Sequence, residues 1–183
     1  MPPKSDLVEA RTLKGFQDFL PSDVIPRRAV IHVIETVFER YGFAPVETPA
    51  LEHLDVLLGT GGEEINKELF RLQSPEADPI AMRFDLTVPF ARLLAQYPEQ
   101  HKVPFRRYAI GTVWRADKPD MNRGRYRQFT QCDIDIAGSD SVACDAEVVA
   151  AVCEVMKTLN VPGHKVLINN RKLAHANREI EKM

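Results

Sequence analysis

Alternate residues between positions 126 and 137 carry side chains that could bind a small polar molecule. A period of two predicts a β-strand, and here the two faces of that strand differ in chemistry. A solvated sheet face would also be polar, but an aromatic ring among carboxylates and an amide is typical of a ligand-binding surface. The polar face comprises Arg127, Phe129, Gln131, Asp133 and Asp135, and the apolar face comprises Cys132, Ile134 and Ile136.

A second predicted strand, from Ile80 to Thr87, shows the same division into an apolar and an acidic face. Together the two strands would present carboxylates, an amide, a hydroxyl and an aromatic ring on one side of a sheet. Such a surface could form the floor of a small-molecule site. In this second strand the polar side carries Arg83, Asp85 and Thr87, and the apolar side carries Ile80, Met82, Phe84 and Leu86.

The opposite charge is concentrated between Lys102 and Arg127. This window holds eight basic residues against Asp117 and Asp120, a net charge of +6 in a chain whose formal net charge is -2. A solvated basic turn or a nucleic-acid contact would account for it. Arginine also binds polyphosphates through its planar guanidinium, so a basic loop beside an acidic floor favours an amino acid next to ATP. The basic residues are Lys102, Arg106, Arg107, Arg115, Lys118, Arg123, Arg125 and Arg127.

Hydrophobic periodicity predicts the elements that must position these groups. Strands at 105–115 and 126–137 are joined by a long loop and form an antiparallel hairpin. Helices are predicted from Ser22 until Gly42 ends the first one, at 88–96 with Thr87 as N-cap, and at 145–159. Further expectations are an extended edge segment at 44–49, a flexible loop at 59–62 and a last strand at 165–169. The apolar stripes of the first and last helices are Val30, Ile34, Val37, Phe38 and Tyr41, and Val148, Val152, Val155, Met156 and Leu159.

The composition excludes several classes of protein. With 183 residues, 44% of them hydrophobic and 27% charged, the chain can form a packed core. It contains no apolar run of about 18 residues and no signal-peptide core, so no membrane contact is expected and a cytoplasmic location is predicted. Its three cysteines form no C-x-x-C pair and its five histidines show no metal-ligand spacing, so neither disulfides nor a protein-bound metal are expected.

Four segments resemble the histidyl-tRNA synthetases, which are class II aminoacyl-tRNA synthetases. The run from Phe105 to Gly138, with Gly-Arg-Tyr-Arg-Gln-Phe at 124–129 and Gln-Cys-Asp-Ile-Asp-Ile-Ala-Gly at 131–138, is similar to motif 2 of that family. The run Arg-Phe-Asp-Leu-Thr-Val-Pro-Phe-Ala-Arg at 83–92 resembles its amino-acid loop. Lys-Gly-Phe-Gln-Asp-Phe-Leu-Pro at 14–21 resembles its N-terminal signature, and Tyr-Gly-Phe at 41–43 with Glu-Thr-Pro at 47–49 resembles motif 1. The likeness covers residues 13–172.

The resemblance implies an α+β fold, an antiparallel sheet flanked by helices, with motif 1 at a homodimer interface. It also implies a histidine–tRNA ligase, which activates histidine with ATP and Mg²⁺ to histidyl-adenylate and transfers it to tRNA(His). Arg115 would bridge the substrate carboxylate and the α-phosphate, Phe129 would stack on adenine, and Asp135 would accept a hydrogen bond from the imidazole. The implied histidine-binding residues are Asp85, Leu86, Thr87, Arg115, Gln131 and Asp135, and the implied ATP-binding residues are Arg115, Asp117, Arg123, Arg125 and Phe129.

Departures from the family pattern define what the chain is expected to contain. Ala116 and Asp117 follow the motif 2 arginine where many bacterial members have a glutamate, and the loop is longer, as in the eukaryote-like branch. No counterpart of motif 3 or of the anticodon-binding domain precedes Met183. We therefore expect a flexible N-terminus at 1–12 and the N-terminal portion of a catalytic domain at 13–183, inactive alone. The alternatives are a synthetase-like regulatory subunit of ATP phosphoribosyltransferase and a plain nucleic-acid-binding fragment.

Overall fold

The computed structural model describes residues 8–59 and 63–168, with side chains from residue 66 onward in the second range. Its helices and strands alternate along the chain without long uninterrupted runs of either type. Among the described residues, no helix is long and apolar enough to cross a bilayer. The elements are α1 (Pro21–Arg40), β1 (Ala44–Pro45), β2 (Leu51–His53), α2 (Leu54–Leu58), α3 (Glu63–Glu68), β3 (Arg71–Gln73), β4 (Pro79–Met82), α4 (Thr87–Gln96), β5 (Phe105–Trp114), β6 (Gln128–Ala137) and α5 (Val142–Thr158).

The described strands form two three-stranded sheets, ordered β1-β5-β6 and β2-β4-β3. The predicted hairpin is confirmed: β5 and β6 pair antiparallel along their whole length, from Phe105 opposite Ala137 to Trp114 opposite Gln128. The extended segment after α1 is an edge strand as expected, but β1 runs parallel to β5. The α+β class predicted from the sequence is therefore confirmed, with one parallel edge added to an otherwise antiparallel arrangement.

Helices α1 and α5 cover one face of the hairpin, which we call the back face. Their contact with Tyr108 forms the largest described cluster of buried apolar side chains. Most of the predicted stripe residues are confirmed: Val37, Phe38 and Val155 are buried in this cluster, and Ile34, Tyr41, Val148 and Leu159 pack against it. Val30 and Val152 are exposed instead, and Ala151, which was not in the predicted stripe, is fully buried. The buried members are Val37, Phe38, Phe43, Tyr108, Ala151 and Val155.

The starts of the helices differ from their predicted positions because of local capping. Helix α1 begins at Pro21, where the backbone N–H of Leu20 donates to Asp23 Oδ2 at 3.3 Å. Helix α5 begins at Val142, three residues earlier than predicted, because the Ser141 hydroxyl accepts from the backbone N–H of Ala143 at 3.3 Å. Ser141, just before α5, thus satisfies an N–H group that has no partner within the helix, whereas Asp23 in the first turn of α1 accepts from the residue that precedes that helix.

The prediction of a strand from Ile80 to Thr87 is wrong in its second half, because β4 ends at Met82. At Arg83 the backbone leaves β4: its N–H donates to Ala50 O at 2.9 Å, and its carbonyl accepts from Trp114 N at 3.1 Å. Helix α4 then starts at Thr87 itself, so Thr87 is not the N-cap. Its role is taken by Asp85, whose Oδ1 accepts from the backbone N–H of Val88 at 3.0 Å.

Three other expectations concern segments that the structure describes only in part. The last predicted strand is wrong for residues 165–168, which have no regular secondary structure, and Asn169 lies outside the described residues. The predicted flexible loop lies outside them too, except for Gly59 at the end of α2. Residues 1–7 of the predicted flexible N-terminus are likewise not described.

Tyr108 on the back face provides a test of this packing in alkaline solution. Its hydroxyl donates to Glu39 Oε1 at 3.0 Å. Burial, reinforced by the hydrogen bond and charge of Glu39, raises the pKa of Tyr108 from 10.0 to about 12. Between those values the unfolded chain loses the phenolic proton while the folded chain keeps it, so we expect stability to fall as pH rises from 10 towards 12.

Substituting Tyr108→Phe should flatten this alkaline loss of stability, measured as the melting temperature against pH. Ultraviolet titration should also show one high-pKa tyrosinate fewer in that variant. Tyr97→Phe, which changes an exposed tyrosine, is the matched control. An identical alkaline slope in wild type and Tyr108→Phe would contradict the expectation.

Candidate active site

The face of the hairpin opposite α1 and α5, which we call the front face, carries the polar row predicted from the sequence. Pairing places Asp135 beside Arg107, Asp133 beside Ala109, Gln131 beside Gly111 and Phe129 beside Val113. Three of the four partners on β5, namely Ala109, Gly111 and Val113, have small side chains. Phe129 packs on the buried cluster of Leu86, Ala109 and Val113. The polar face is thereby confirmed from 129 to 135.

Arg127 does not belong to this face, contrary to the parity argument, because β6 begins one residue later at Gln128. Its backbone N–H donates to Gly15 O at 2.8 Å, and its Nε donates to Asp117 O at 3.0 Å. The N-terminal signature is thereby attached to the base of the 115–127 loop. Gly15 has a φ of +85°, and a Cβ there would lie 2.9 Å from the Arg127 side chain, so a larger residue would be strained twice.

The carboxylates of the front face are half-buried and influence each other. Burial raises the pKa of Asp85, and the charge of Asp133 adds to this, while the Val88 N–H and Arg115 oppose it. Burial also raises the pKa of Asp135, with Arg107 opposing. Gln131 donates to Asp133 Oδ2 at 3.2 Å, and its Oε1 is buried with no hydrogen-bond partner among the described residues. The front face therefore has acceptors available for a cationic or N–H-bearing ligand.

The Asp85–Thr87 segment meets this floor from the start of α4. Asp85 is held by its bond to the helix, and the carbonyl of Leu86 accepts from Arg107 Nη2 at 3.2 Å. The side chain of Leu86 is buried in the front-face cluster, whereas Thr87 is exposed. Leu86 can thus offer a ligand only backbone groups.

A cavity of about 500 Å³ lies between the loop and Phe129. Arg115 stands at its base: its Nε donates to Phe84 O at 3.1 Å, and its guanidinium carbon lies 5.2 Å from the centre of the Phe129 ring. All five residues implied for ATP binding line this one cavity, although their binding roles stay a prediction. The lining residues are Arg115, Asp117, Arg123, Gly124, Arg125, Tyr126 and Phe129.

Two arginines of the loop pair with carboxylates of the same loop; the net charge of the window includes these carboxylates but does not show which arginines they pair with. Arg125 pairs with Asp117, with Nε 3.1 Å from Oδ2, and this pairing raises the pKa of Arg125. Arg123 is 88% exposed at its side chain and lies 3.6 Å from Asp120. Arg123 is therefore more easily released to an anionic ligand than Arg125.

Arg83 was missed as an organising residue because alternation placed it beside Asp85 and Thr87 on the polar face of a predicted strand. It is buried and donates to Thr48 O at 2.6 Å and to Thr112 O at 3.0 Å. Burial lowers the pKa of Arg83, while the charges of Glu52 and Glu47 oppose this. A Cβ at Gly111 would lie 2.7 Å from Arg83 Nη2, so this glycine in a strand was the available signal of a close approach.

The chain is similar to known proteins in both sequence and structure. The family profile described as Histidyl-tRNA synthetase matches residues 15–178. The histidine–tRNA ligase of Helicobacter hepaticus is 44% identical over 167 residues, which are 91% of this chain and 37% of that protein. The crystal structure of histidyl-tRNA synthetase from Nostoc sp. PCC 7120 aligns with a TM-score of 0.72 and 35% identity, covering 84% of this chain and 35% of that one.

A structure from Bacillus halodurans, described as an ATP phosphoribosyltransferase regulatory subunit/histidyl-tRNA synthetase, has the same fold. It aligns with a TM-score of 0.70 at 24% identity, over 80% of this chain and 37% of that one. Identity at that level supports the fold alone.

The sheet order, the flanking helices and the aligned structures define part of the catalytic core of a class II aminoacyl-tRNA synthetase. The resemblance seen in the sequence is confirmed at the level of the family. The chain belongs to the histidyl-tRNA synthetase family. It spans about 37% of the length of the curated relatives that it matches.

Proposed function

We propose that the complete protein containing this chain is a histidine–tRNA ligase, and that the described residues contribute its histidine and ATP sites. The observation that carries this proposal is the 500 Å³ cavity at Arg115 and Phe129, next to which Gln131, Asp133 and Asp135 follow Phe129 along the same face of β6. A nucleotide and a zwitterionic amino acid need such neighbouring, oppositely charged surfaces.

For histidine, the acceptors of the floor match the donors of the substrate. The α-ammonium would meet Asp85, Thr87 and the unpartnered Oε1 of Gln131, and the imidazole N–H would donate to Asp135. Arg115 would bind the carboxylate, which is the nucleophile. Hydrogen bonds to charged groups of this kind contribute about 1.5–3 kcal/mol each.

For ATP, the same guanidinium can reach the α-phosphate while adenine stacks on Phe129, on the cavity side of the front face. Asp117 would contact the nucleotide, and Arg123 or Arg125 would bind the outer phosphates, with Mg²⁺ arriving in the ATP complex. A carboxylate must attack an anionic phosphate, so charge neutralisation and alignment supply the catalysis without an enzyme nucleophile. The products would be histidyl-adenylate and pyrophosphate.

The family further implies transfer of the histidyl group to tRNA(His), a homodimer formed through motif 1 and a cytoplasmic location. It also implies that residues 13–183 are the N-terminal portion of the catalytic domain and are inactive alone. These statements extend the proposal to the complete protein.

Histidine-dependent exchange of pyrophosphate into ATP tests the proposal. The complete protein should catalyse exchange with histidine and not with other amino acids, whereas the 183-residue chain should show negligible exchange. Complete protein that binds histidine but shows no exchange would favour the regulatory-subunit alternative. Binding of tRNA by this chain alone, with a steep salt dependence, would favour the nucleic-acid alternative.

A further inference from the structure

Arg107 is a buried arginine on the floor of the site that the proposed function leaves without a role. Its residue is 1% exposed, the lowest value of any charged residue described. Burial lowers the pKa of Arg107, while Asp135, Asp133 and Asp85 oppose this, in that order. Removing a guanidinium from water this completely is costly unless its partners compensate, so the position needs an explanation.

The guanidinium of Arg107 connects separate parts of the site. Its Nη2 lies 2.6 Å from Asp135 Oδ2 and 3.9 Å from Asp133 Oδ2, and the same nitrogen donates to the carbonyl of Leu86 at 3.2 Å. One cation therefore joins both carboxylates of β6 to the segment in front of α4.

An aromatic column holds the plane of this guanidinium. Its central carbon lies 4.4 Å from the centre of the Phe90 ring, and Phe90 stacks on Phe105 at 6.0 Å. His101 also packs against Phe105, with ring centres 5.6 Å apart. Lysine could supply the charge here but not the planar group that lies over Phe90, so the stacking geometry favours arginine.

We propose that Arg107 is a positioning residue for histidine selection: it fixes the Asp135 carboxylate against the Asp85–Thr87 segment so that the imidazole meets an oriented acceptor. This inference rests on the proposed function. Arg107 itself is covered and touches no substrate; it acts through Asp135. The charged groups that face this arrangement are Asp133 and Asp135 from β6, Asp85 before α4, Arg115 after β5, and Asp140 and Asp145, which border a cavity with Asp135.

Removing the cation should leave the three carboxylates to repel one another. In the Arg107→Leu variant of the complete protein, we expect the KM for histidine in the exchange reaction to rise about 10- to 100-fold, with the KM for ATP changed less than about twofold. Histidine binding should also fail at a higher pH on the acid side, by about one unit or more, because Asp135 protonates more readily without its partner.

Removing a neighbouring negative charge, instead of the positive one, provides a second measurement. Asp133→Asn removes a neighbouring anion that favours protonation of Asp135, so the acid limb should move to lower pH, opposite to the shift in Arg107→Leu. The double variant Arg107→Leu/Asp133→Asn should recover part of the lost histidine affinity. Arg106→Leu is the matched control, since Arg106 lies on the back face and pairs with Glu147; its histidine KM and pH profile should equal those of wild type.

The outcomes separate the two claims. Absence of exchange in the wild-type complete protein overturns the proposed function. Exchange in wild type, with an unchanged histidine KM and acid limb in Arg107→Leu, overturns the role of Arg107 alone, as does an equal rise in both KM values. If Arg107→Leu does not fold, Asp133→Asn decides: an acid limb that stays in place or moves to higher pH overturns the inference.

Discussion

Replacing Arg115 by alanine in the complete protein is expected to reduce histidine-dependent ATP–pyrophosphate exchange by about 1,000-fold or more, equivalent to about 4 kcal/mol. Arg115 would bind both reacting anions, and its contribution should be greatest where negative charge concentrates on the α-phosphate. Both kcat and kcat/KM should therefore fall, rather than the KM alone rising. Steady-state exchange at saturating ATP, varied over histidine concentration, measures this split.

Two further variants show whether the fork or merely the charge of Arg115 matters. Arg115→Lys keeps the cation but loses the second donor and the face that approaches Phe129, so it should recover only a small part of the activity. Arg71→Ala, which changes an exposed arginine on the other sheet, should exchange like wild type. Exchange by Arg115→Ala within tenfold of wild type would contradict the assigned role.

Strand parity predicted the front face well because the β5–β6 hairpin is long and regular. Because Val113 pairs with Phe129 and side chains alternate along a strand, Gln131, Asp133 and Asp135 lie on the same face as Phe129. The same reasoning failed from Arg83 onward, where alternation continues in the sequence although β4 has ended. Periodicity reports which residues could share a face, and it cannot report where backbone hydrogen bonding stops.

The number of arginines available to an anionic ligand was the property least well predicted from the sequence. The +6 window predicted a basic loop over an acidic floor. In the fold Arg106 pairs with Glu147 across the back face, and Arg107 lies within the floor itself. These pairings depend on partners 28 to 41 positions away, so no local count could identify which arginines remain available for phosphate. Only the three-dimensional pairing distinguishes a structural arginine from one that can bind a ligand.

Arg83 shows how the fold uses a buried cation to join its two sheets. Beyond Thr48 O and Thr112 O, its Nη1 lies 3.4 Å from Pro49 O and 3.3 Å from Thr48 Oγ1. Its acceptors come from the connection between β1 and β2 and from β5, so a residue that directly follows β4 is bonded to the other sheet and to the segment that links the two sheets. The next residues, Phe84 and Asp85, contact Arg115 and α4, and Arg83 therefore also sets the position of the amino-acid segment.

Substituting Arg83→Leu should lower the free energy of unfolding of the complete protein by about 3–6 kcal/mol, because the hydrogen bonds from the buried guanidinium to the Thr48 and Thr112 carbonyls are lost, at about 1.5–3 kcal/mol each. Thermal and denaturant unfolding measure the loss, and Arg71→Leu on the exposed surface should cost less than about 0.5 kcal/mol. Arg83→Lys should be intermediate, since one ammonium cannot span both sheets. A loss below about 1 kcal/mol in Arg83→Leu would show that water, rather than Arg83, can satisfy these carbonyls.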